Sequence, residues 1–237
     1  MLNCILLPEG KTSPEIVEDI FQQIHSASSD VGVLVIGGHT EVTSGLDRPI
    51  VVGHLLGEVA KEALVATSTA QVDDVVLVTK AVGVEGTAII ASELAGELRD
   101  KGCSAEFVRR AKRFLHDPGI SIYKDALIAA DSKLVHAMTD ATEGGLSAAL
   151  YEMARAAGVG FLIEADKVPV YPETKRICAE YNLDPLGLIA SGMLVMAVPA
   201  SRARIRLNSS ICSRRWWSCV MLSPCLLYTS PSPRDRG

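Results

Sequence analysis

Residues 138–160 read MTDATEGGLSAALYEMARAAGVG and join the end of a strand to a glycine-rich turn and a helix. The apolar stretch at 135–138 predicts a strand, and the apolar periodicity after it predicts a helix over 143–157, closed by Gly158. Gly144 and Gly145 let backbone N–H groups approach a ligand, and the positive end of a helix dipole attracts anions. Asp140 and Glu143 add carboxylates that can hold Mg²⁺ against a phosphate, so this segment is the best candidate for a metal-bridged phosphate-binding turn.

Two more glycine-rich segments are predicted as turns at strand ends, GGHTE at residues 37–41 and GVEGT at residues 83–87. One such turn is more often only a tight connection. Three of them in one acidic chain, each with carboxylates or hydroxyls, indicate phosphate binding bridged by Mg²⁺, which prefers oxygen ligands.

The rest of the pattern mixes helices and strands without strict alternation, which favours an α+β fold over a Rossmann sheet. Predicted helices cover residues 13–29, 104–115, 121–130 and 172–181, with another that runs from the 83–86 turn to about 98. Predicted strands cover residues 33–36, 49–56, 75–79, 159–163 and 193–198.

Charge and hydropathy exclude several functional classes. The 237 residues are 48% hydrophobic with a net charge of −5, and residues 1–200 carry an excess of acidic groups. An acidic body is a poor nucleic-acid binder, since phosphate affinity needs clustered Lys and Arg. The sequence has neither an apolar run of about 18 residues nor a basic leader, so we expect a cytoplasmic protein without a membrane span.

The last part of the chain differs from the rest. After residue 200 the periodicity stops, and CLLYTSPSPRDRG at the end resembles translated vector sequence. We therefore predict three parts: a partial domain at 1–60, a second domain at 61–200, and a non-native or disordered tail at 201–237.

Four motifs, in order, carry a resemblance to a known family. GGHTEVTSGLDRPIVVG at 37–53 resembles the GGxT segment of the AIR synthase (PurM-like) superfamily, and residues 138–160 resemble its DxTxGG helix start. VLVTKAVGVEGTAII at 76–90 and LDPLGLIASGMLVMAVP at 183–199 stand at the expected spacing. Within the superfamily the chain is most similar to the HypE-like branch of hydrogenase maturation and to AIR-synthase-related proteins.

The resemblance implies an N-terminal domain that dimerises through its sheet, a C-terminal α/β domain, and ATP with Mg²⁺ as cofactors. It implies an enzyme that activates a carbonyl or amide oxygen with ATP, as a homodimer with a hydrogenase-maturation partner protein. By position in the motifs, the implied catalytic residues are Asp140, Glu143 and His39, and the implied metal ligands are Glu41 and Asp140. The implied cofactor-binding residues are Gly37, Gly38, Thr40, Lys80, Gly144 and Gly145.

Two alternatives stay open at this point. The superfamily's aspartate-rich Mg·ATP loop precedes the first helix and is missing here, so we expect a chain truncated at both ends. Such a chain could be a non-catalytic nucleotide-binding fragment. The GGHT and TDATEGG motifs also resemble those of a selenophosphate-synthetase-like kinase.

Overall fold

The computed structural model describes residues 1–201 and 217–219, and the chain divides into two units. The first unit spans Met1–Lys61 and the second begins at Glu62. The boundary predicted from the sequence lies one residue earlier. Among the described residues, every helix is too short or too polar to cross a membrane.

The first unit contains three strands and one helix: β1 (Leu2–Pro8), α1 (Pro14–Asp30), β2 (Gly37–Thr43) and β3 (Ile50–His54). The sheet order is β2-β1-β3, with β1 parallel to β2 and antiparallel to β3. Strand β1 alternates, because Asn3, Ile5 and Leu7 are buried while Cys4 and Leu6 are half-buried. This is the two-residue period of a strand with one covered face.

Helix α1 begins where the sequence predicts. The Ser13 hydroxyl accepts a hydrogen bond from the Ile16 N–H at 3.4 Å, and Pro14 occupies the first turn. Both features satisfy the geometry of a helix N-terminus, where the first N–H groups have no partner within the helix. The predicted helix over 13–29 is therefore confirmed.

Two predictions in the first unit are wrong. Residues 33–36 form no strand, because pairing with β1 starts one residue later, at Gly37 opposite Leu2. The segment at 37–41 is consequently the body of β2 and not a glycine turn.

The second unit contains a four-stranded sheet and six helices among its described residues. The strands are β4 (Asp74–Thr79), β5 (Ala137–Ala141), β6 (Met193–Pro199) and β7 (Trp217–Cys219). The helices are α2 (Val84–Glu93), α3 (Ala95–Asp100), α4 (Ala105–Arg113), α5 (Tyr123–Asp131), α6 (Gly145–Ala157) and α7 (Pro172–Tyr181). Short 3₁₀ turns lie at Lys61–Ala63, Thr67–Thr69 and Ala165–Lys167, and a π turn at Leu115–Gly119.

The order of strands in this sheet is β5-β6-β4-β7, and each neighbouring pair is antiparallel. The strands β4 and β6 are buried along almost their whole length, because both faces of the sheet are covered. On one face Val76, Val78 and Val195 pack with α6, and on the other Leu194 and Met196 pack with Ala129 of α5. Helices α2, α3, α4 and α7 form a separate cluster around Leu98 and Ile177.

The predicted helices over 104–115, 121–130, 143–157 and 172–181 are confirmed, with α7 matching residue for residue. The single helix predicted up to about residue 98 is instead two helices, α2 and α3, which are separated at Leu94. The predicted strand at 159–163 is wrong. Its apolar residues Val159, Phe161 and Ile163 pack against the cluster on the α6 side, but the segment lies outside both described sheets. Apolar alternation reports burial, and burial alone does not supply a pairing partner.

The predicted tail at 201–237 lies mostly outside the described residues. Residues 217–219 differ from the expectation of a tail without secondary structure, since β7 pairs with β4 from Leu77 to Thr79.

Candidate functional site

In the first unit the candidate residues lie along β2. His39 and Glu41 share one face of the strand, with His39 Nε2 and Glu41 Oε2 3.1 Å apart, while Thr40 faces the other side. Both side chains of the pair are exposed. The Glu41 carboxylate keeps a further oxygen for a cation, so this pair can orient a ligand at the surface of the sheet.

The glycines of β2 serve strand pairing. Gly38 has φ of +151°, and a Cβ atom on it would lie 1.9 Å from the Asn3 carbonyl oxygen. A side chain at this position would therefore separate β2 from β1. Gly38 is required for the parallel pairing, whatever Gly37 and Gly38 contribute to a cofactor.

In the second unit the candidate residues meet at one edge of the sheet. Because β4 and β5 both run antiparallel to β6, they run in the same direction, and their C-terminal ends lie at the same edge. Each strand leads through a glycine in the left-handed conformation, Gly83 or Gly144, into the first turn of α2 or α6. The two helix N-termini therefore open on the same side of the unit.

A loop at residues 184–192 contacts both helix starts. The Gly86 N–H donates to the Ile189 carbonyl at 3.0 Å, and the Ser147 N–H donates to the Leu186 carbonyl at 3.1 Å. A Cβ on Gly145 would lie 2.6 Å from the carbonyl oxygens of Leu186 and Leu188. Gly145 thus permits close packing of the loop backbone on the start of α6. The loop carbonyls also accept hydrogen bonds from the Gly86 and Ser147 N–H groups, so these two N–H groups at the helix starts are not free for a phosphate.

Asp140 and Glu143 remain available to a ligand. Asp140 is exposed near the end of β5, in register with Leu194, and Glu143 is exposed just before α6. Hydrogen bonds from its own N–H and from the Thr142 hydroxyl lower the pKa of the Glu143 carboxyl below its usual 4.5. The turn therefore presents ionised oxygen at neutral pH.

Lys80 is placed differently from the sequence expectation. Its ammonium is buried and donates to the Ser121 carbonyl at 2.8 Å, to Asp125 Oδ2 at 2.9 Å and to the Gly192 carbonyl at 2.7 Å. An ammonium has three donors, and all three are used within the protein. Lys80 lies on the face covered by α5, so it has no free donor for the cofactor-binding role that the motif implies.

The donor set at the β5–α6 turn fits Mg²⁺ bound together with a nucleotide. Within the described residues there is no group of three or more His, Cys, Asp or Glu side chains that could hold a metal by themselves. Mg²⁺ commonly takes one or two carboxylates and completes its shell with substrate phosphates and water. Asp140 and Glu143 would supply the carboxylates of such a site, whereas His39, Thr40 and Glu41 belong to the first unit.

Family models match both units. The N-terminal domain of AIR synthase related proteins matches residues 1–59, and their C-terminal domain matches residues 71–208. The chain belongs to the AIR synthase related family. The second match ends eight residues beyond the predicted domain limit at 200, which stays a prediction.

Curated relatives place the chain near hydrogenase-maturation proteins. It is 32% identical to a putative hydrogenase expression/formation protein of Methanocaldococcus jannaschii, over 82% of this chain and 54% of that protein. It is 28% identical to the carbamoyl dehydratase HypE of Rhodobacter capsulatus, over 84% of this chain and 55% of that protein. The chain thus spans about half the length of these relatives.

Solved structures support the same fold. HypE of E. coli matches with a TM-score of 0.69 and 22% identity, over 98% of this chain and 74% of that one. HypE in complex with ATP matches with a TM-score of 0.64 and 20% identity, over 94% and 63%. HypE in complex with HypF matches with a TM-score of 0.65 and 20% identity, over 94% and 71%. The α+β, PurM-like fold class is confirmed.

Proposed function

We propose that this protein is an ATP-dependent enzyme of hydrogenase maturation that activates a carbonyl or amide oxygen of its substrate. The observation that carries the proposal is the β5–α6 turn, where Asp140 and Glu143 present exposed carboxylates at a helix start. The relatives named HypE and carbamoyl dehydratase, one of them solved with ATP, support the choice of reaction and cofactor.

In this proposal the chain's own residues bind and orient the nucleotide. Asp140 and Glu143 hold Mg²⁺ at the turn, and bound Mg²⁺ would offset the negative charge of the ATP phosphates. In the first unit, Glu41 is the proposed metal ligand and Gly37, Gly38 and Thr40 are the proposed cofactor-binding residues. In the second unit, Gly144 and Gly145 have the cofactor-binding role. His39 acts as a positioning group, since its ring nitrogen already pairs with Glu41.

Substitution of Asp140 tests this proposal. Asp140→Asn should lower ATP turnover about a hundredfold, comparable with the loss of one electrostatic stabiliser of a transition state. Phosphate release with Mg·ATP measures turnover, and circular dichroism checks the fold. Glu152→Gln, an exposed carboxylate on α6, is the matched control and should behave as wild type.

The outcomes separate the alternatives. A folded Asp140→Asn protein with wild-type turnover would exclude the β5–α6 turn from the reaction. A wild-type chain that binds Mg·ATP without turning it over would instead support the non-catalytic nucleotide-binding fragment.

We also propose that the protein is a homodimer through the sheet of the first unit. Ile50 and Val52 pair with Leu6 and Cys4 of β1, which lie on the same face of the sheet as Leu2. Leu2, Ile50 and Val52 on this face are all exposed. A second copy would bury this apolar face symmetrically. The HypE–HypF complex further supports a hydrogenase-maturation protein as a partner of this chain.

The dimer is tested by Val52→Asp, which places a charge in the centre of the apolar face. The variant should be monomeric by light scattering where the wild type is dimeric. Leu127→Asp, at a similarly exposed position on α5, should stay dimeric. A Val52→Asp dimer, or a monomeric wild type, would contradict the proposed interface.

A further inference from the structure

Lys80 stands at the junction of three elements of the second unit. It follows β4, its ammonium binds Asp125 and the Ser121 carbonyl at the start of α5, and it binds the Gly192 carbonyl just before β6. The side chains of Lys80 and Asp125 are 5% and 14% exposed. A buried ion pair with every donor satisfied fixes the groups around it, because losing one partner leaves a charge uncompensated.

The backbone at this junction is also constrained. Lys80 has φ of +58°, in the left-handed region that few residues other than glycine adopt. A Cβ on Gly192 would lie 2.6 Å from the Gly119 carbonyl oxygen, so the Gly192 backbone packs directly on the segment before α5. The Lys80 ammonium therefore binds Gly192 at a point where the backbone of residue 119 already leaves no space for a side chain.

From Gly192 the contacts continue to the proposed nucleotide site. Gly192 ends the 184–192 loop, whose carbonyls accept from the first turns of α2 and α6. Two residues further on, Leu194 donates its N–H to the Thr79 hydroxyl at 3.0 Å and pairs with Asp140 in register. Lys80 and Asp140 therefore flank the same end of β6 from its two sides.

We propose that Lys80 is a positioning residue: through Gly192 and the first residues of β6 it sets the place of Asp140 and the start of α6. This inference rests on the proposed function, because it assigns Lys80 a role in holding the Mg·ATP site without touching the nucleotide. It replaces the direct cofactor-binding role that the sequence motif implies for Lys80.

Asp125 distinguishes the two roles by the sign of its effect. If Lys80 bound phosphate, Asp125 would compete for the ammonium, and Asp125→Asn would strengthen ATP binding. If Lys80 positions the site, Asp125→Asn loosens the junction and weakens ATP binding. Lys124→Met removes an exposed lysine next to Asp125 and is the control for general charge effects.

The experiment measures the Kd for Mg·ATP by calorimetry, the Mg²⁺ concentration for half-saturation at fixed ATP, and the thermal unfolding of the full chain. Lys80→Met should raise the Mg²⁺ half-saturation about tenfold, the loss typical of a group that orients a metal ligand from outside. Asp125→Asn should change it in the same direction by a smaller factor. Lys124→Met should leave it unchanged.

A second variant keeps the test valid if Lys80→Met does not fold. Lys80→Met/Asp125→Leu removes both buried charges and should recover thermal stability. The Mg²⁺ concentration for half-saturation should stay raised in this double variant, because the hydrogen bonds from Lys80 to the Gly192 and Ser121 carbonyls are still missing. A return to the wild-type value together with the stability would reduce Lys80 to a stabilising residue and overturn the inference.

Failure of the inference is distinguishable from failure of the proposed function. Wild-type chain that does not bind Mg·ATP would overturn both. Wild-type binding together with tighter binding by Asp125→Asn, or with unchanged binding by folded Lys80→Met, would overturn the positioning role alone.

Discussion

At the scale of single residues, glycines decide how closely backbone segments approach in this protein. Gly38 meets the Asn3 carbonyl oxygen, and Gly145 meets the carbonyls of the 184–192 loop. In both places any side chain would overlap with backbone that has no room to move. A glycine-rich motif can therefore reflect packing as well as ligand binding.

Gly38→Ala should destabilise the first unit by about 2 kcal/mol or more, because the added methyl cannot coexist with the β1–β2 pairing. Urea unfolding and amide hydrogen exchange of β1 and β2 measure the effect. The control is Gly53→Ala on β3, where the new Cβ meets its nearest atom at 3.6 Å, an ordinary contact. Equal stability of the two variants would contradict the structural role given to Gly38.

The carboxyl group of Glu143 gives a prediction about pH. Its pKa is lowered by its own N–H and by the Thr142 hydroxyl, so its contribution to stability is present above pH 4.5 and is lost as the pH falls through the lower folded value. An NMR titration should find the Glu143 midpoint below 4.5. Thr142→Val should raise that midpoint, and an unchanged midpoint would remove Thr142 as a cause.

At the scale of secondary-structure elements, a buried hydroxyl pair joins α2 to α7. The Oγ1 atoms of Thr87 and Thr174 are 2.8 Å apart, and both residues are fully buried. A hydroxyl left alone in this place would lack the partner that burial requires.

Replacing one or both threonines should therefore give non-additive effects. Thr174→Val should lower the free energy of unfolding by about 1–3 kcal/mol, because it leaves the Thr87 hydroxyl unsatisfied. Thr87→Val/Thr174→Val should cost less than the sum of the single changes, since no polar group then remains without a partner. Chemical denaturation of the four proteins measures the coupling, and strict additivity would contradict the contact.

At the scale of the whole molecule, the division into two units predicts where proteases act. Residues 55–73 contain only short 3₁₀ turns between β3 and β4, and most of them are exposed. Limited proteolysis should cut within residues 58–72 and release a stable fragment that begins there. Mass spectrometry of the fragments identifies the site. A protected core that spans both units without a cut in this segment would contradict the division.

The sequence by itself determined the elements whose signals are local. The Ser13 cap with Pro14 gave the start of α1, and apolar periodicity with Pro172 gave α7 over its whole length. The four motifs in order gave the family and the fold class. These succeed because capping, helical periodicity and turn chemistry depend on residues within a few positions of each other.

Only the tertiary structure decided the features that depend on distant partners. The segment at 37–41 is a strand because β1 lies beside it, and residues 159–163 are not a strand because neither described sheet pairs with them. The Lys80 ammonium is buried and fully hydrogen-bonded because the fold brings together three acceptors that lie 41, 45 and 112 residues further along the chain. A sequence motif does not show whether the ammonium of its lysine faces solvent or is bonded to three protein oxygens. Only the fold determines this.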